Sequence, residues 1–186
     1  MIEIKKAEII IKRPALAQGV KKYLLIMEKL RKTDVAKDMD FQNTYRDFYQ
    51  MRRFYSDDFC RHYFKLMENL KYTKDMNFKM ALERIKNIQG SYEVSFSSKM
   101  AHTINPLNPI WDKIVTKEHF GINSPYPKAK NREKASCDKY DAYVDKFYDY
   151  MATKEGMALI HIFDLEFPES GISDVKKIDF ILWQDR

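Results

Sequence analysis

The chain is poor in the residues that turn a backbone. It has 186 residues but only five glycines and six prolines, too few for a turn-dense β fold and suited to long helices. Its two cysteines, Cys60 and Cys137, stand far apart. They build no zinc site alone, and isolated cysteines fit a reducing, cytoplasmic compartment. No apolar run approaches the roughly 18 residues that span a bilayer, so no membrane is expected. The opening MIEIKKAEIIIKRP mixes charges around a short Ile run and does not read as a signal peptide. Phosphate-cradling GxxxxGK and GxGxxG loops are missing, as are HExxH and GxSxG. Histidines 62, 102, 119 and 161 are scattered without a cysteine at ligand spacing. Neither a metal nor another cofactor is expected.

Aromatic residues and basic charge are plentiful. There are 12 Tyr and 12 Phe, and the net charge is +6. Residues 1–37 hold ten Lys/Arg against four Asp/Glu, and the rest of the chain balances at 23 of each. The whole surplus therefore lies at one end. A basic face there, carrying Lys21 and Lys22, suits phosphate or another acidic partner. A solvated helix surface explains the same lysines.

Periodicity predicts an all-α fold, an orthogonal bundle of eight or nine helices in one domain over residues 1–186. IEIKKAEIII reads as a short strand or an extended arm. PALAQGVKKYLLIMEKLRK reads as a helix, with Pro14 in its first turn and an apolar stripe of Leu16, Val20, Leu24, Met27 and Leu30. The next helix takes Thr33 as its N-cap. Further amphipathic segments follow at SDDFCRHYFKLMENL and NFKMALERIKNI, the latter ended by Gln89-Gly90. GINSPYPKAKNREKA is the candidate exposed loop. KYDAYVDKFYDYMATKEGMALIHIFDLEF reads as a long helix broken near Gly156. The last helix opens at Ser173 and buries Val175, Ile178, Ile181 and Leu182.

Two stretches have the residue types that chemistry needs. In YRDFYQMRRFY, Arg46, Arg52 and Arg53 alternate with Tyr45, Phe48, Tyr49 and Tyr55. Arginine forks pair with phosphate and exposed aromatics stack on bases. An amphipathic helix with its rings in the core gives the same pattern. The second stretch is SSKMAHTINPLNPIWDKIV, residues 97–115, a helical run carrying Lys99 and then a proline corner. There Asn108 reads as an N-cap, Pro109 as the first helical residue and Asp112 as a first-turn acid favoured by the helix dipole.

SKMAH followed by PIWDKIV resembles the core of the helix-hairpin-helix DNA glycosylase superfamily. In that family a hairpin leads to Lys-x-Ala at the head of a helix and then to a Pro-apolar-Asp-x-x-Val segment. Lys99-x-Ala101 and Pro109-Ile110-Trp111-Asp112-x-x-Val115 follow that order. The chain is also similar, from about Phe41 onward, to a set of uncharacterised bacterial proteins sharing Ser-Phe-Ser-Ser-Lys, Thr-Ile-Asn-Pro and Pro-Ile-Trp-Asp. The glycosylase resemblance implies DNA as partner and removal of a base. Asp112 would oppose the positive charge that develops on the sugar. Lys99 would be the amine that attacks C1′. Trp111, Tyr49 and His102 would line the pocket for an extruded base. Arg46, Arg52, Arg53, Lys21 and Lys22 would meet the phosphates. The chain departs from the family at its hairpin, where Gly90 stands alone in IQGSYEVSFSS. A non-catalytic helical protein that binds nucleic acid or a protein partner is the alternative reading.

Overall fold

The computed structural model describes residues 2–51 and 56–185. Among them the chain forms nine α-helices, one π-helical turn and no strand. Two compact units are present, one of residues 1–17 and 106–186, the other of residues 18–105. Among the described residues no helix is long and apolar enough to cross a membrane.

In the first unit, α1 (Ile4–Ile11) packs on α8 (Lys154–Glu166) and α9 (Asp174–Gln184). The strand or arm expected here is a helix because the buried positions are Ala7, Ile10 and Ile11, while Ile9 is exposed. That spacing of three and four residues is helical. A strand would have put Ile9 and Ile11 on one face. α7 (Arg132–Met151) supports α8 and α9. The break between α7 and α8 falls at Ala152-Thr153, where the Thr153 hydroxyl accepts from the Gly156 amide. Ser173 caps α9 as its sequence suggests, accepting from Lys176.

The second unit takes most of α2 (Pro14–Lys32), together with α3 (Met39–Phe48), α4 (Asp57–Leu70), α5 (Phe78–Gln89) and α6 (Val94–Ile104). α2 begins at Pro14 as expected, but its buried face is Leu16, Val20, Tyr23, Ile26 and Leu30. Leu24 is exposed, so the stripe is rotated by about one residue. Thr33 does not cap α3. Its hydroxyl donates back to the Lys29 carbonyl, and Asp38 caps α3 by accepting from Phe41. Ser56 and Asn77 cap α4 and α5 in the same way. Gly90 closes α5 at φ 78°, a left-handed conformation that suits glycine.

The core of this unit is aromatic. Phe41, Tyr45, Tyr63 and Phe64 are fully buried, with ring centroids 5.5–5.9 Å apart across α3 and α4. Buried phenols need partners. Tyr45 and Tyr63 bond each other at 2.9 Å, and Tyr63 donates to the Phe96 carbonyl. Burial pushes the Tyr45 hydroxyl far above its usual range.

Candidate functional site

The residues singled out in the sequence fall in both units. Lys99 lies in the second turn of α6, and α6 is buried nearly all round, polar side chains included. Ser97, Ser98, Lys99, His102 and Thr103 are all buried. The Lys99 residue is 8% exposed. Its ammonium donates to the Ser95 hydroxyl at 2.7 Å, a turn earlier on the same helix. It also sits 4.5 Å from the Phe96 ring centroid and 5.9 Å from that of Tyr49. Electron-rich ring faces attract a cation there. Tyr49 is buried beside Tyr45, with centroids 4.6 Å apart. His102 is buried and shares a 3.1 Å hydrogen bond with the Tyr23 hydroxyl. The buried polar face of α6 thus brings Lys99 against Tyr49 and sets His102 against α2.

α5 and α6 pack closely and are joined by the four residues Gly90–Glu93. The N-cap residue of α6, Glu93, makes no side-chain capping hydrogen bond. The first amides of a helix are natural anion donors.

The proline corner lies in the first unit and does not start a helix at Asn108. Residues 109–112 belong to no helix, and a π-turn follows at Ile114–His119. The reason is tertiary. The Leu107, Pro109 and Ile110 carbonyls accept from the hydroxyls of Tyr148, Tyr140 and Tyr143 on α7, at 2.7, 2.8 and 3.1 Å. The Ser173 hydroxyl holds the Pro106 carbonyl at 3.0 Å. A helix capped by Asn108 would need the Pro109 and Ile110 carbonyls for itself. Asp112 stands at the head of the π-turn instead. Its Oδ1 accepts from the Ile114 amide at 2.9 Å, and its carbonyl accepts from the Thr116 amide and hydroxyl. The residue is half-buried. Trp111 is buried, edge-on to Tyr143 at 5.7 Å, and acts as a core anchor. Burial, aided by the negative charges of Asp179 and Asp112, pushes the Tyr143 hydroxyl well above its usual range.

The expected phosphate contacts are mostly engaged within the chain. Arg46 pairs with Asp57 at 2.8 Å. Lys22 pairs with Asp47. Lys6, Lys29, Lys32 and Lys37 pair with Asp185, Asp38, Glu28 and Asp34. Lys6, Lys22 and Lys29 draw their acids from outside residues 1–37, so these pairs offset three of the six surplus charges. Lys21 is exposed. Arg52, Arg53 and Tyr55 lie outside the described residues.

Sequence reasoning missed one buried ion pair. On α9, Lys176 donates to Asp179 at 2.6 Å, with side chains only 4% and 6% exposed. The Lys176 ammonium also lies 4.6 Å from the Phe180 ring centroid. The only signal was the spacing of three residues between opposite charges, which usually marks a solvated helix face. Among the described residues no group of three or more His, Cys, Asp or Glu is placed to hold a metal ion. No family model, curated protein or solved structure matches the chain.

Proposed function

We propose that the chain is a divergent helix-hairpin-helix, glycosylase-like protein that binds DNA and removes a base, with Lys99 as its reactive amine. The observation that carries this reading is the placement of Lys99. The amine is buried among aromatic rings on the second helix of a closely packed helix–Gly–helix pair. A lysine attacks as its neutral amine, and the rings around Lys99 hold that amine at a fixed place. The resemblance gives the turn between α5 and α6 the role of holding a backbone phosphate, and helix N-termini suit that role.

The chemistry balances with the chain's own groups. The neutral amine forms a bond to C1′ of the sugar. The C1′–base bond breaks, and its electron pair leaves with the base, which takes up the proton that the attacking nitrogen gives up. Asp112 is the carboxylate that the resemblance assigns to the developing sugar charge.

Borohydride trapping tests this directly. With DNA containing an abasic site, the aldehyde condenses with the amine, water leaves, and borohydride reduces the imine to a permanent link. The full chain is expected to form this adduct, and Lys99→Gln to lower it by more than about tenfold. Absence of an adduct from folded protein that binds the same DNA overturns the amine assignment. Absence of binding at any salt concentration overturns the DNA reading itself.

The non-catalytic alternative rests on a different observation. Asp112 already serves as an acceptor for the π-turn, which accounts for an acid at that position without chemistry.

A further inference from the structure

The first unit carries a groove that the glycosylase-like reading does not use. A cavity of about 360 Å³ lies against the π-turn, lined by Lys113, Thr116, Lys117, Ile122, Asn123 and Ser124. That volume lies at the small end of ligand pockets. We propose that this groove binds a small phosphate-bearing ligand, a monoester or diphosphate, between Lys113 and Lys117.

The first argument is charge. The lining residues include two lysines and no aspartate or glutamate. Lys113 makes no ion pair among the described residues, and Lys117 pairs with Glu118 at 3.3 Å, outside the lining. A phosphate monoester carries a charge near −2 at neutral pH, which two lysines match and a carboxylate does not. Lysine is a strongly hydrated point charge that serves phosphate well.

The second argument is donor geometry. Asn123 and Ser124 also line the groove, and neither side chain makes a hydrogen bond among the described residues. The Thr116 hydroxyl donates to the Asp112 carbonyl, so Thr116 contributes shape. Ile122 supplies an apolar patch for whatever the phosphate is attached to.

The third argument is that the groove is already formed. Gly121 turns the chain at φ 66°. Its amide bonds the Lys117 carbonyl at 3.0 Å, and the Ile122 amide bonds the Thr116 carbonyl at 2.8 Å. Lys139 on α7 donates to the Asn123 carbonyl at 2.8 Å and pins that segment. A wall fixed before binding lowers the entropy lost when a ligand arrives. The π-turn itself is rare geometry and recurs at functional sites.

The test is calorimetric titration of the full chain with inorganic pyrophosphate and with inorganic phosphate at constant ionic strength. Both lysines are exposed, so Lys113→Gln with Lys117→Gln leaves the fold intact. This double variant is expected to weaken pyrophosphate binding by about tenfold or more, the loss of two charge-assisted contacts. A control pair in the second unit, Lys65→Gln with Lys74→Gln, is expected to bind as the parent does. Amide shifts on titration should map to Gly121–Ser124. The proposal is overturned if neither probe binds, if the double variant binds like the parent, or if the control pair loses as much. It is equally overturned if a short DNA duplex, and not pyrophosphate, depends on Lys113 and Lys117.

Discussion

The buried pair Lys176–Asp179 gives the sharpest energetic prediction. Its ammonium and carboxylate are 2.6 Å apart, with side chains 4% and 6% exposed. Two charges out of water each forfeit several kcal/mol of hydration, which their attraction returns only while both are present. Lys176→Met takes the ammonium from a buried carboxylate, and Asp179→Leu takes the carboxylate from a buried ammonium. Each single variant is expected to cost about 3–5 kcal/mol. The double variant removes both charges and keeps roughly the volume, so it should lie within about 1 kcal/mol of the parent or above it. The coupling between the sites would then be several kcal/mol, where contacting residues more often show about 0.5–3. The assay is urea unfolding at neutral pH followed by tryptophan fluorescence. Both tryptophans, Trp111 and Trp183, belong to the unit that holds the pair, so the signal reports that unit. Single variants that cost under 1 kcal/mol would refute the desolvation argument. So would a double variant as unstable as the two singles added together.

Two further outcomes follow from local geometry. A Cβ at Gly156 would stand 2.1 Å from the Tyr150 carbonyl oxygen and 2.8 Å from the Met151 Cα. These are backbone atoms that cannot rotate away, so Gly156→Ala should destabilise by about 1–3 kcal/mol or more in the same urea assay, against helix propensity. His119 donates from Nε2 to the Leu182 carbonyl at 3.1 Å, and burial holds its pKa below the ordinary 6.5, opposed by Asp185. The unfolded chain then takes up this proton first, so stability should fall as pH drops below 6.5. His119→Gln should flatten that part of the stability–pH curve, and an unchanged slope would refute the assignment.

Much of the helical frame was legible, since it rests on local signals. Pro14 opens α2, Ser56, Asn77 and Ser173 cap their helices, and Gly90 stops α5. The misreadings share a tertiary cause. Tyr23 rather than Leu24 is buried on α2, where its hydroxyl meets His102, a partner 79 residues away. Asn108-Pro109 has the chemistry of a helix start, yet hydroxyls from α7 take the carbonyls that such a helix would use. Periodicity equates polar with solvated, so it could not place Lys99, His102, Lys176 or Asp179 in the interior. Ser95 and Phe96 receive Lys99, and Asp179 and Phe180 receive Lys176, from within the same helix, while Tyr49 and Tyr23 reach Lys99 and His102 from elsewhere.

The corner also decides how Asp112 is to be interrogated. Its approach is fixed from outside by Tyr140, Tyr143, Tyr148 and Ser173, and its own carboxylate then joins the π-turn through Ile114. Replacing it with alanine mixes two effects, because loss of a capping acceptor alone costs about 0.5–2 kcal/mol. Asparagine separates them. It keeps an oxygen for the Ile114 amide and removes only the charge, so Asp112→Asn should unfold in urea close to the parent. If the carboxylate opposes sugar charge in the transition state, the same variant should lose base release by about 100-fold or more while still binding DNA. If base release persists undiminished, the acid is a cap and nothing else, and the amine of Lys99 would have to account for the chemistry without it.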